Sequence, residues 1–262
     1  MGEKPELWEE ERAALSLGID LGLTHIDTAE MFGYGDAERM LSRVIKARRR
    51  EEIFLVSKVL PENARYKDTI RAAEESLQRL ETDYLDLYLL QWPSIHPMED
   101  TMGAMEDLVR QGKIRFLGVS NFRVAELEEA LAALTREKIA CNQVFYHLAQ
   151  RVMEREVIPF CARRGIPVVG YTPFGRICFP DLRRRGIRVL EAIGVRHGRT
   201  ARQVALRFLT RHPLVFTISK ASQLDHVREN ACATDFELTE QDLEEIEAEF
   251  PPDAEPARLQ LI

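Results

Sequence analysis

The feature that most constrains the fold of this chain is a regular alternation of short apolar segments with amphipathic helical segments. Short, continuous apolar runs are typical of buried parallel strands, and the apolar residues between them recur at helical spacing. No linker rich in proline, glycine or serine interrupts this alternation. We therefore predict a single α/β domain over residues 1–262 with a parallel sheet. The predicted strands are 24–29, 53–59, 85–92, 116–120, 142–147, 168–172 and 215–220.

Helix boundaries are also marked in the sequence. The segments 7–21, 67–80 and 124–134 carry apolar residues at a spacing that places them on one helical face. Thr200 with Gln203 and Thr239 with Asp242 have the spacing of capping boxes, in which side chains and backbone amides satisfy each other at a helix start. We therefore expect one helix to begin after each threonine.

Polar side chains at the C-terminal ends of the predicted strands favour a barrel over an open sheet. An open, doubly wound sheet collects its ligand groups at one switch point, whereas a closed barrel gathers them from all round its rim. The length of 262 residues also suits a TIM-type (β/α)8 barrel, which has about 250 residues. The polar residues at these ends are Asp27, Lys58, Gln91, Ser120, Asn121, Gln143, Tyr171 and Lys220.

Composition and missing motifs exclude several classes of function. The net charge of −7 argues against a nucleic-acid partner, and no apolar run is long enough to predict a membrane span. The 4 cysteines form no CxxC pair and no metal-ligand spacing, so we expect reduced thiols, a cytoplasmic location and no metal. The glycines at 33 and 35 lack the third glycine of a dinucleotide fingerprint, and neither a phosphate-binding loop nor HExxH occurs.

Seven short motifs occur in an order that resembles the aldo-keto reductase family. The resemblance implies a (β/α)8 barrel that reduces a small aldehyde or ketone to an alcohol with NADPH. The motifs are GLTHIDTAE at 22–30, SK at 57–58, LDLYLLQWP at 85–93, GVSNF at 118–122, NQ at 142–143, YTPFG at 171–175 and ISKAS at 218–222.

The resemblance gives a divided picture of the catalytic residues. Reductases of the family use an Asp, a Tyr that donates the proton, a Lys and a His. Asp27 and Lys58 match the first and third, but Phe32 stands at the Tyr position and Gln91 at the His position. Phenylalanine has no proton to give, and general acid catalysis contributes about 10²–10⁴-fold, so we expect weak activity. The Gln91 amide can still donate a hydrogen bond to a carbonyl oxygen.

Alternatives stay open for several of these residues. Tyr34, in the same loop as Phe32, is either a substitute at the substrate site or a surface residue of the loop. Trp92 either lines the substrate pocket or packs in the core. Asp27 and Lys58 also fit a structural ion pair, which would survive in an inactive protein.

The cofactor positions of the family are better preserved. Lys220 supplies positive charge near the expected adenosine phosphate, which favours NADPH over NADH; the alternative is a set of polar residues on the barrel rim. The resemblance places Ser120, Asn121, Gln143 and Tyr171 at the nicotinamide, Thr172, Phe174, Gly175 and Arg176 beside the pyrophosphate, and Lys220, Ala221, Ser222, His226, Glu229 and Asn230 around the adenosine.

The predicted strands number seven, one fewer than a closed barrel requires. The family's N-terminal hairpin and first barrel strand have no counterpart in this sequence, so either the true start lies upstream or the chain is a truncated relative. An open barrel leaves unpaired strand edges and makes an oligomer possible. Besides a reductase, the sequence therefore allows a non-catalytic NADP(H)-binding sensor or scaffold, or an inactive truncated relative.

Overall fold

The alternation of strands and helices is present in the computed structural model, which describes residues 1–175 and 184–252. The chain divides into two units. The first comprises Met1–Asn142 with Ala221–Leu224, and the second comprises the described parts of Gln143–Lys220 and Asp225–Ile262.

Seven β-strands occur in the part of the chain that the structure describes, as the sequence predicts. The sheet order within the first unit is β1-β2-β3-β4-β5, and within the second it is β5-β6-β7, since β5 runs across the boundary. The printed pairs β1–β2, β2–β3, β3–β4 and β6–β7 are all parallel. The strands are β1 His25–Asp27, β2 Phe54–Val59, β3 Leu85–Leu90, β4 Ile114–Ser120, β5 Ile139–Phe145, β6 Val168–Tyr171 and β7 Val215–Ile218.

Helices connect the strands in the way that parallel pairing requires. The predicted helices 7–21, 67–80 and 124–134 correspond to the first, third and fifth helices of the structure, which are Trp8–Asp20, Tyr66–Leu80 and Val124–Ala133. The described helices are α1 Trp8–Asp20, α2 Asp36–Lys46, α3 Tyr66–Leu80, α4 Met98–Arg110, α5 Val124–Ala133, α6 Val157–Arg164, α7 Arg184–His197, α8 Ala201–Leu209, α9 Leu224–Ala231 and α10 Glu240–Glu249.

Both predicted capping boxes are present. The backbone N–H of Gln203 donates to the Thr200 hydroxyl at 3.3 Å, and that of Asp242 donates to the Thr239 hydroxyl at 3.2 Å. Helices α8 and α10 begin directly after these threonines. A cap depends on residues three positions apart, so the local sequence is sufficient to locate it.

Strand ends differ from the prediction most at β5, which begins at Ile139 instead of residue 142. Ile139 and Cys141 are buried and Ala140 is half-buried, so these three consecutive apolar residues were an available strand signal that the prediction left out. None of the described helices is long and apolar enough to cross a membrane. Cys161 and Cys232 form no disulfide bond among the described residues, Cys141 is buried on β5, and Cys178 lies outside the described residues.

Candidate active site

Asp27 and Lys58 project from the same face of the sheet at the C-terminal ends of β1 and β2. Asp27 pairs in register with Val56, and Lys58 follows Val56 by two residues. Paired residues on neighbouring strands share a face, and so do residues two apart on one strand. The sheet register therefore brings the carboxylate and the ammonium together.

The same register adds Gln91 and Ser120 to this face. Lys58 pairs with Leu89, and Gln91 follows Leu89 by two residues, directly after β3. Leu89 in turn pairs with Gly118, and Ser120 ends β4 two residues later. Polar residues from four consecutive strands thus share one face, at the strand ends where barrel enzymes carry their active sites.

The Lys58 ammonium is enclosed and doubly held. Its side chain is 1% exposed, and it forms an ion pair with the Asp27 carboxylate, which accepts a hydrogen bond from Nζ. Nζ also donates to the Thr28 carbonyl oxygen at 2.8 Å. These contacts fix a positive charge at the end of β2, as a buried ion pair requires good geometry and additional hydrogen bonds.

Phe32 lies next to this charge. The Lys58 Nζ is 5.7 Å from the centroid of the Phe32 ring, within the range of a cation–π interaction. The ring therefore stands beside the cation, where the family resemblance expects a tyrosine, and it carries no hydroxyl. The structure thus brings Asp27, Lys58 and Phe32 together without a phenolic proton donor at this position.

Gln91 is fixed by its backbone. Its N–H donates to the Val59 carbonyl at 2.9 Å, and its carbonyl accepts from Asn121 Nδ2 at 3.0 Å. The residue is 9% exposed, and its side-chain oxygen Oε1 is enclosed without a hydrogen-bond partner among the described residues. This enclosed acceptor is open to a hydrogen-bond donor on a ligand, since most buried polar atoms in proteins have a partner.

The loop after β4 is held by side-chain amides. Asn121 adopts a left-handed backbone conformation with φ 62°, and its Nδ2 also donates to Ser120 Oγ at 3.1 Å. Asn142 bonds both backbone groups of Phe122, donating to its carbonyl at 2.9 Å and accepting from its N–H at 3.4 Å. Asn142 was absent from the predicted site, although it precedes Gln143 in the sequence motif.

Glu30 is a second residue that sequence reasoning missed. Its Oε1 accepts from the Leu60 N–H at 2.7 Å and from Asn63 Nδ2 at 3.1 Å, which ties the loop after β1 to the end of β2. Burial raises the pKa of Glu30 above its ordinary value, although these two hydrogen bonds act in the opposite direction. Its position at the end of the GLTHIDTAE motif was the available signal.

Tyr34 and Trp92 occupy different environments. Tyr34 is 96% exposed and Trp92 is half-buried. Tyr34 follows Phe32 in the short turn Phe32–Gly35, which leads directly into α2. No ring contact or hydrogen bond involves the Tyr34 side chain within the described residues.

Several residues predicted to contact the nicotinamide and the pyrophosphate lie in the second unit, on β5, on β6 and directly after β6. Gln143 is buried on β5, and the Tyr171 ring lies 5.6 Å from that of Phe145, centroid to centroid. Thr172 and Gly175 have left-handed φ values of 57° and 73°. Arg176 lies outside the described residues.

Arg202 is a further residue of this segment that the sequence did not reveal. Its guanidinium lies 3.7 Å from the centroid of the Phe174 ring, and its Nε is 3.6 Å from the Glu229 carboxylate. The capping box that begins α8 places Arg202 in the first turn of this helix. It therefore joins the Phe174 loop to α9 within the second unit.

The adenosine-side residues lie on or just before α9. Lys220 is exposed and His226 half-buried in the second unit, whereas the half-buried Ala221 and Ser222 belong to the first. Asn230 Nδ2 donates to Ser219 Oγ at 2.9 Å. The Asn230 oxygen Oδ1 is enclosed without a hydrogen-bond partner in residues 1–175 and 184–252.

No group of three or more His, Cys, Asp and Glu side chains is arranged to hold a metal ion in these same described ranges. The strand-end face instead combines a fixed cation, a carboxylate, amides and a hydroxyl. Such groups can hold and polarise a small polar ligand.

Comparison with known proteins points in the same direction. The sequence matches the aldo/keto reductase family over residues 8–249. It is 41% identical over 257 residues to a methylglyoxal reductase of Escherichia coli, which covers 96% of this chain and 88% of that relative. It is 36% identical over 251 residues to a glyoxal reductase of Bacillus subtilis, covering 94% of this chain and 85% of that relative.

Solved structures share the fold. Two crystal structures of an aldo/keto reductase from Klebsiella pneumoniae, one in complex with NADP and acetate and one with NADPH, each give a TM-score of 0.91 at 40% identity. Each alignment covers 100% of this chain and 92% of the other. This similarity confirms the predicted barrel-type α/β fold.

Proposed function

The chain belongs to the aldo/keto reductase family, and we propose that it reduces a small aldehyde or ketone to the alcohol with NADPH. The observation that carries this proposal is the common face of Asp27, Lys58, Gln91 and Ser120 at the ends of four consecutive strands. Such a face presents charge and hydrogen-bond donors to a bound carbonyl group.

The residues present fit a nicotinamide dinucleotide. Within the second unit, Gln143 carries an amide that can both donate to and accept from a carboxamide, and the enclosed Asn230 Oδ1 lacks a partner that an adenine amino group would supply. Lys220 adds positive charge for a phosphate, which favours NADPH over NADH. The bound cofactor supplies the hydride, and the related Klebsiella structures contain NADP or NADPH.

For the substrate, we propose a small 2-oxoaldehyde. The support comes from two relatives whose names give methylglyoxal and glyoxal as substrates, at 41% and 36% identity. Gln91 would donate a hydrogen bond from its side-chain amide to the carbonyl oxygen and orient it. Trp92, half-buried immediately after Gln91, would line the same pocket.

Activity should be lower than that of a relative with a tyrosine at the position of Phe32. Hydride addition places negative charge on the carbonyl oxygen, and Phe32 cannot protonate it. The Lys58 charge, beside the Phe32 ring, stabilises this oxygen electrostatically. The ammonium itself is enclosed, with the Lys58 side chain 1% exposed. Loss of the acid at this position can cost up to about 10²–10⁴-fold in rate, so we expect a rate below that of a tyrosine-containing enzyme.

The test is a paired measurement on the purified protein. NADPH is titrated by fluorescence quenching, and its oxidation is then followed with methylglyoxal, glyoxal and simple aldehydes, with NADH as the comparison cofactor. We expect saturable NADPH binding, slow turnover and weaker binding of NADH. Saturable binding with no oxidation across the panel would exclude the reductase function.

Phe32 favours a second candidate, a non-catalytic NADP(H)-binding sensor or scaffold. Such a protein would keep the residues that bind the cofactor and lack the residue that donates the proton. The same paired measurement separates the candidates, because the second predicts binding without turnover. The single domain over 1–262, a cytoplasmic location, the lack of a nucleic-acid partner and oligomer formation by an open barrel all stay predictions.

A further inference from the structure

The loop that carries Phe32 also carries an unexplained tyrosine. Tyr34 is 96% exposed, and its side chain has no hydrogen bond, ring contact or other partner within the described residues. Large aromatic side chains normally bury most of their surface. The exposure of Tyr34 therefore indicates a function other than packing.

The backbone at Tyr34 is strained. Gly33, Tyr34 and Gly35 have consecutive left-handed φ values of 58°, 52° and 91°. Glycine adopts this region without penalty, but a tyrosine does so only when the surroundings impose it. Strain of this kind concentrates in loops that act on ligands, and here no packing of the ring accounts for it.

The two ends of this loop are fixed, while Tyr34 itself is not. The Phe32 N–H donates to the Ala29 carbonyl at 3.1 Å. Gly35 is packed so tightly that a Cβ there would lie 2.5 Å from Arg79 Cδ. A flip of the peptide group between Gly33 and Tyr34 would change the φ of Tyr34 and redirect its ring with little movement of either end.

We propose that Tyr34 is the proton donor of this enzyme, in place of the phenol that Phe32 lacks. The inference rests on the proposed reductase function. Two residues separate their Cα atoms by at most about 7 Å, so the Tyr34 hydroxyl can reach the space in front of the Phe32 ring. Sequence and structure thus place a phenol in the same loop that has lost one.

The reaction balances with Tyr34 in this role. The carbonyl carbon gains a C–H bond from the hydride of the nicotinamide, and the electron pair of the C=O π bond moves to oxygen. The Tyr34 O–H bond then breaks, and its proton forms the new hydroxyl group of the alcohol. Because the Tyr34 side chain is exposed to water, the phenolate that remains on Tyr34 regains a proton from solvent.

Lys58 is less suited to donate this proton directly. Its ammonium is enclosed, is held by Asp27 and the Thr28 carbonyl, and has the Phe32 ring beside it. A substrate oxygen would have to displace one of these groups to reach Nζ. Lys58 therefore acts through its charge, and Tyr34 is the exposed acid in the loop.

The test is Tyr34→Phe, which removes one hydroxyl from a side chain that contacts nothing described. We expect kcat for methylglyoxal reduction to fall at least about 100-fold, with unchanged NADPH affinity by fluorescence quenching and unchanged thermal unfolding. Tyr66→Phe is the matched control: it removes a hydroxyl on α3 that donates to the Asp107 carboxylate on α4, away from the candidate site, and should leave kcat unchanged. Phe32→Tyr in the Tyr34→Phe background should restore activity.

Two outcomes would overturn the proposal, and they are distinguishable. If the wild type turns over and Tyr34→Phe stays within twofold of it, Tyr34 is not the donor, although the reductase function stands. If the wild type binds NADPH but turns over no carbonyl compound, both proposals fail. A loss of activity accompanied by weaker NADPH binding or lower stability would also contradict the assigned role.

Discussion

Lys58→Met should destabilise the protein far more than the same substitution at an exposed ion pair. Lys58 and Asp27 have side chains that are 1% and 11% exposed, and the substitution removes the ammonium from both Asp27 and the Thr28 carbonyl. Removing one partner of a buried pair typically costs about 3–5 kcal/mol, because the other charge stays in a poorly solvated site. This is a large part of a total stability of about 5–15 kcal/mol.

Lys46→Met provides the matched control. Lys46 pairs with Glu81 on the surface of the first unit, and these side chains are 58% and 49% exposed. Exposed pairs contribute about 0–1 kcal/mol, since water already solvates both charges. The two variants therefore compare one chemical change in two environments.

Urea unfolding followed by circular dichroism measures this difference. With a slope of about 3 kcal/mol per M, a loss of about 4 kcal/mol lowers the midpoint by about 1.3 M, against at most about 0.3 M for Lys46→Met. Adding Asp27→Asn to Lys58→Met should recover part of the loss, because it removes the remaining carboxylate. Equal midpoints for the Lys58 and Lys46 variants would refute the claim that this ion pair stabilises the site.

Three further predictions follow from named contacts. Glu106 accepts three backbone N–H bonds and one hydroxyl bond from residues 135–137, which lower its pKa from 4.5 to about 2 against the effect of burial. Its stabilisation, at most about 3 kcal/mol, is therefore present above pH 4.5 and lost as the pH falls towards 2, and Glu106→Gln should remove this pH dependence of unfolding. Phe32→Tyr with Gln91→His, introduced into the Tyr34→Phe variant, should raise kcat/KM for methylglyoxal by at least about 100-fold; no gain in steady-state assays would show that the catalytic residues are not limiting. Arg151→Met should lower the unfolding free energy by about 3–5 kcal/mol, because the 1% exposed Arg151 side chain holds Glu154 and the Phe250 carbonyl; calorimetry showing a smaller loss than 1 kcal/mol would contradict this.

Features that depend on neighbouring residues were predictable from the sequence. The capping boxes at Thr200 and Thr239 are present because each requires only a threonine and a polar residue three positions on. The seven strands were also predictable, because burial on both faces of a parallel sheet requires apolar residues throughout. The start of β5 at Ile139 was missed although its first three residues are apolar, because the prediction began this strand at Asn142.

Long-range contacts account for what the sequence did not reveal. Glu106 lies on α4, but its partners are the backbone amides of residues 135–137, about thirty positions away. Arg151 reaches the Phe250 carbonyl across 99 positions. Neither spacing forms a pattern in a single sequence, because tertiary structure alone brings these groups together.

Within the candidate site, the sequence identified the residue types but not their environment. Asp27 and Lys58 were expected to pair, and the structure places them in an ion pair. The enclosed, unpartnered oxygen of Gln91 and the near-complete exposure of Tyr34 depend on the three-dimensional surroundings. The Gln91 oxygen supports a ligand site and the exposure of Tyr34 supports its proposed role as proton donor, whereas the reductase proposal rests on the common face at the strand ends.

Transfer of a labelled hydride tests the central claim of carbonyl reduction most directly. The wild-type protein, in excess over substrate, is incubated with methylglyoxal and NADPH deuterated at the transferable position of the nicotinamide, and the product is analysed by mass spectrometry. Hydride transfer from NADPH should give an alcohol with one deuterium on the former carbonyl carbon, formed slowly and in proportion to the NADPH consumed. Saturated NADPH binding with no deuterium in any product would contradict it.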